Sequence, residues 1–100
     1  MRFRQLRGAI RDLDEALVHY ARIHATLVRS LADEVGVARQ RIGEQPDAWH
    51  PLGAGLRRYV LRRFPYTIIY RADPEEIVIV AYAHQRRRPG FWRNRLRTDE

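Results

Sequence analysis

The seven residues at 77–83, "IVIVAYA", are apolar at every position. A run this short reads as a strand rather than a buried helix, and apolar side chains on both faces suit the centre of a sheet. Just before it, "DPEE" at 73–76 sets Asp and Pro where a tight turn favours them. The stretch "YTIIYRA" at 66–72 is a second strand, and the short connection makes the two an antiparallel hairpin. A third strand, "LRRYVLRRF" at 56–64, is closed by Pro65. The rest of the chain must cover this sheet.

The amino-terminal half supplies the cover. "RFRQL" at 2–6 alternates and forms a short strand. From Gly8 the period turns helical: Ile10, Leu13, Leu17 and Tyr20 recur at steps of three and four, which leaves Arg11, Asp12, Asp14 and Glu15 outward. A second stripe runs through Leu27, Leu31, Val35, Ala38 and Ile42, and the break near "RIHAT" predicts a helical hairpin. "GEQPDAWHPLGAG" at 43–55 stops the helix and reads as an ordered loop anchored by Trp49. At the far end "PGFWRNRLR" predicts a turn of helix or a packed tail, with Phe91 and Trp92 against the sheet. The expected fold is therefore α+β, one domain over residues 1–100 in the order β-α-α-β-β-β. A helical hairpin packs on one face of a small, mostly antiparallel sheet, and the opposite face stays free.

Composition narrows the chemistry. The chain has no cysteine, which excludes disulfides, thiolate catalysis and zinc sites that need sulfur. The amino end lacks a secretory signal, and no run approaches the ~20 apolar residues of a membrane span, so a cytoplasmic location and no membrane partner are expected. The histidines are scattered (His19 and His24 stand five apart), so neither a metal site nor a cofactor is expected. The formal charge of +7 is uneven: residues 1–56 hold eight arginines against seven acids, whereas 57–97 hold eleven against three. All nineteen basic residues are arginine. Genome composition alone produces such a bias; the functional reading is planar, bidentate contact with phosphate or carboxylate.

"DLDEALVHY" at 12–20, "RRYVLRRFPYTIIYR" at 57–71 and "AHQRRRPGFW" at 83–92 together resemble the RelE/ParE superfamily of toxins from bacterial type II toxin–antitoxin pairs. The likeness covers nearly the whole chain. It implies a growth-arresting protein of the kind tied to plasmid stabilization, held inactive by a cognate antitoxin. That partner is expected to be acidic and partly disordered when free. Some members cleave messenger RNA on the ribosome; others poison DNA gyrase without nuclease chemistry. Membership alone does not choose between them; the expected activity is ribosome-dependent mRNA cleavage using a basic sheet face, with gyrase poisoning through the basic-aromatic carboxyl-terminal segment as the alternative.

Metal-free RNA cleavage needs a proton carrier and cations for the phosphorane. His84, Arg86 and Arg62 are the candidate catalytic set, with Arg58 sharing a strand face with Val60 and Arg62. Where RNA-cleaving relatives tend to carry an arginine in the middle strand this chain has Thr67, and Trp92 stands where they carry a tyrosine or histidine. Indole moves no proton at neutral pH, though it stacks on a base. Binding without chemistry asks less: Arg58, Arg87, Arg88, Trp92 and Arg93 need only present charge and aromatic area to a target such as ribosome-bound mRNA or gyrase.

Overall fold

The computed structural model describes residues 2–98. Its elements are β1 (Arg2–Gln5), α1 (Arg7–Ala21), α2 (Ala25–Glu44), β2 (His50–Gly53), β3 (Leu56–Val60), β4 (Tyr66–Ala72), β5 (Glu76–His84) and α3 (Arg95–Thr98). The strands form one sheet in the order β1-β5-β4-β3-β2, antiparallel except where β1 runs parallel to β5. The α+β class, the mostly antiparallel sheet and the helical hairpin are all as expected. The apolar run lies in β5, where residues 77–83 are all buried. A register shift between Ile69 and Tyr70 leaves Val80 as one extra residue on the β5 side, and both Val80 and Ala81 reach the same core.

The first core lies between the sheet and the helices. Leu31, Val35, Ala38 and Ile42 meet Ile68, Tyr70 and Ile79, as the second stripe requires. In α1, Leu13, Leu17 and Tyr20 pack against the core as expected, but the inward face is rotated towards smaller residues. Gly8, Ala9, Asp12 and Ala16 are buried, whereas Ile10 is 44% exposed. Small side chains let α1 approach β5 closely, and the approach turns Asp12 inward.

His24 caps α2: its Nδ1 accepts the Thr26 N–H at 3.1 Å, which accounts for the break at "RIHAT". Trp49 anchors the loop after α2 as expected, its ring edge-on to Tyr59 at 4.6 Å. The same loop also contains a strand the sequence reading missed. "GAG" at 53–55 takes positive φ at all three residues (85°, 54° and 77°), so the chain reverses and β2 pairs with β3.

Two further corrections bear on function. β3 ends at Val60, so Arg62 and Arg63 lie in the turn before β4 and not on a strand. The Glu34 carboxylate of α2 accepts both of their backbone N–H groups, which draws this turn towards the helix. And the second sheet face is not free. Phe91, Trp92 and Leu96 pack on it over Ile69, Val80 and Ala83, together with Leu52 of β2. A strand apolar on both faces needs cover on both, and the tail supplies the second layer.

Candidate functional site

Alternation sets Arg58 of β3, Thr67 and Ile69 of β4 and Ala83 of β5 on the tail-side face, since Arg58 pairs with Ile69 and Thr67 with Ala83. Past His84 the chain turns back over them. The Gln85 N–H donates to the Pro65 carbonyl at 2.9 Å, the Arg87 N–H to the His84 carbonyl at 2.9 Å, and Gly90 takes φ 81°. Phe91 and Trp92, ring centroids 5.3 Å apart and edge to face, form the facing wall. Between tail and sheet lies a groove of about 160 Å³ with apolar walls and a rim carrying Arg58, His84 and Arg87. The Arg87 guanidinium sits 3.9 Å from the Phe91 ring centroid, which fixes its charge at the groove mouth. The buried Trp92 Nε1 has no hydrogen-bond acceptor among the described residues.

His84 also borders a second, polar cavity of about 220 Å³ at the end of β5, with Glu15, Tyr66, Tyr82 and Arg87. Its Nδ1 accepts the Arg86 backbone N–H at 3.0 Å, leaving Nε2 as the nitrogen open to a partner, and its ring stands perpendicular to Tyr66 at 5.0 Å. Burial, then the charges of Arg86 and His19, lowers the pKa of His84 below its ordinary 6.5, so the ring is neutral at pH 7. Burial raises the Tyr66 phenol, with Tyr20, Asp12 and Glu15 adding to the effect. Burial likewise pushes Tyr82 up to about 12.

The expected catalytic set does not gather. Arg62 lines neither cavity that His84 borders. It lines a hollow of about 330 Å³ with Tyr66, Thr67 and Gln85, and a larger one of about 470 Å³ against α2, with Arg41, Arg63, Asp33 and Glu34. There acids and arginines are intermixed, so the larger hollow presents no single charge to a target. Arg86 holds His84 through its backbone, while its side chain, like those of Arg88 and Arg93, is exposed outside the groove. Arg58, Arg87 and Trp92 are the expected binding residues that do converge. Among the described residues no three His, Asp or Glu side chains gather as metal ligands would, and no helix is long and apolar enough to cross a membrane.

The sequence reading missed Asp12 and Arg95. The Arg95 guanidinium crosses the edge of the sheet and grips the Asp12 carboxylate with two bonds, 2.7 and 3.0 Å. Burial of Gly8, Ala9 and Ala16 around Asp12 was the one local signal; nothing in the spacing of Arg95 announced a partner 83 residues away.

A family model described as the ParE toxin of the type II toxin–antitoxin system parDE matches residues 3–89, ending before Phe91, Trp92 and Arg95. Toxin ParE2 of Mycobacterium tuberculosis, in strains CDC 1551 / Oshkosh and ATCC 25618 / H37Rv, is 34% identical over 89 residues, 88% of this chain and 85% of the relative. Among solved structures, one titled "Chromosomal ParDE TA system from P. aeruginosa" superposes with a TM-score of 0.73 at 22% identity, covering 84% of this chain and 95% of the other.

Proposed function

The chain belongs to the ParE toxin family of type II toxin–antitoxin systems, and on that premise we propose that it arrests growth by binding DNA gyrase through the tail-side groove, without chemistry of its own. A toxin of such a system has a cognate antitoxin as its partner, and that antitoxin silences this one by occluding the groove. The observation that carries the reading is the convergence of Trp92 and Phe91 with Arg58 and Arg87 around one apolar hollow. Trp and Arg are the side chains that most often anchor interfaces, and a desolvated pocket ringed by charge is where anchors act. The groove has no cation in its middle strand, where Thr67 stands, so a phosphorane there would lack a central partner.

Ribosome-dependent mRNA cleavage is the second reading, and one observation favours it. The neutral His84, next to Tyr66, Glu15 and Arg87 in the polar cavity, is a side chain able to accept a proton at pH 7. Inducing the chain without its antitoxin and mapping message 5′ ends by primer extension separates the two. Gyrase poisoning leaves messages intact and induces a DNA-damage response. Codon-spaced cuts would replace this reading with the nuclease.

A further inference from the structure

The groove exists only while the tail lies across the sheet, and the tail has few polar ties to the body. Among the described residues, the backbone bonds of 86–98 are local turns: Phe91 N–H to the Arg88 carbonyl, Arg93 to Gly90, Arg95 to Trp92 and Arg97 to Asn94. Beyond the turn in which the Arg86 and Arg87 N–H groups bond back to His84, the hydrogen bonds that fasten 89–98 to the sheet and to α1 all come from Arg95 among the described residues. Its Nη1 reaches the Asp12 carboxylate at 2.7 Å and the Val80 carbonyl at 3.0 Å, and its Nη2 reaches Asp12 at 3.0 Å. Asp12 in turn accepts the Tyr82 N–H at 3.0 Å. β1 pairs with β5 only as far as Ile79. Past that point the two charged side chains take the place of a neighbouring strand, completing the ladder at Val80 and Tyr82.

Two features show that the fold is built around this contact. The pair is largely buried, with side-chain exposures of 15% for Arg95 and 7% for Asp12. And the guanidinium crosses directly over Gly8, where an added Cβ would stand 2.5 Å from Nε and 2.6 Å from Cζ of Arg95. Any residue but glycine would force the guanidinium to shift from this path. Arg95 also lies 5.1 Å from the Phe91 ring on which Arg87 sits, so the same guanidinium orders one groove wall.

We propose that Arg95 is the positioning residue of the target surface: its buried pair with Asp12 and its passage over Gly8 hold Phe91, Trp92 and Arg87 in binding geometry. The inference rests on the reading that the groove meets the target, yet the latch itself is tested independently. Gly8→Ala is the sharpest variant. Alanine favours helix at this position of α1, so the substitution leaves helix propensity intact while displacing the Arg95 guanidinium. Arg95→Lys keeps the charge, loses the two-pronged grip and serves as the second variant.

The measurement is amide hydrogen exchange of the full-length chain, read at 89–98 and at β4, alongside growth arrest on induction. In both variants we expect exchange at 89–98 to accelerate at least tenfold with β4 unchanged, and growth arrest to weaken in parallel. Unaltered exchange at 89–98 in both overturns the latch. Faster tail exchange with undiminished arrest upholds the latch and overturns the assignment of the groove as the toxic surface.

Discussion

Asp12 is the one charged side chain buried among the described residues. It neutralises Arg95 and satisfies the Tyr82 N–H, so removing it strands a buried cation and an edge donor together. Breaking a buried pair from one side costs about 3–5 kcal/mol. Asp12→Ala is therefore expected to lower the unfolding free energy measured in urea by that amount; a loss under 1 kcal/mol would mean that water replaces the carboxylate. Arg58 is the opposite case. It is exposed in β3, so Arg58→Ala should leave stability within about 0.5 kcal/mol while weakening the hold on the target tenfold or more. His84 provides a pH test. Its folded pKa lies below 6.5, so the native state binds its proton less readily than the unfolded chain. Its contribution to stability is complete above that value and is lost as pH falls through the folded pKa. A proton NMR titration should place the His84 midpoint below 6.5, and a midpoint above it would contradict the burial and charge environment described.

At the scale of elements, what could be read from the sequence followed local pattern, and what could not followed long-range pairing. The α2 stripe came from its spacing, β5 from its unbroken apolar run and the β4–β5 turn from Asp and Pro, all signals local in the chain. β2 has no such signal, since its four residues "HPLG" carry no alternation and its turn is made by glycines that read equally well as loop. The rotation of α1 escaped for a related reason: its inward face is marked by small residues and an acid, which a search for large apolar side chains passes over. Arg62 was misplaced because strand periodicity was carried past the point where Glu34 captures the backbone. Of the site, the cationic and aromatic membership of "AHQRRRPGFW" was legible; the tie to Asp12, which turns that segment into a wall, was not. The β2–β3 turn yields its own prediction. Ala54 holds φ 54° beside Gly55. Ala54→Asn installs the Asn-Gly pair that such a turn prefers, and should raise stability by about 0.5–1 kcal/mol in thermal unfolding. A lower unfolding midpoint would contradict the turn assignment.

For the molecule as a whole, two layers of unequal thickness cover one sheet, and the charge divides with them. Eleven of the nineteen arginines fall at 57–97, which includes β3 and the tail. The helical layer, by contrast, is nearly neutral. Such a distribution orients an encounter, speeding association with an acidic partner and losing that advantage as salt rises. On the proposed reading, toxin target and antitoxin meet the same basic half, so the two compete and neutralisation needs no conformational signal. The account stands or falls on whether the groove between tail and sheet is what grips the target. The direct measurement is titration of purified DNA gyrase with the parent chain and with Arg58→Ala, two proteins of equal stability. Saturable binding by the parent that weakens at least tenfold in Arg58→Ala is the predicted result; no binding by either, or equal binding by both, contradicts it.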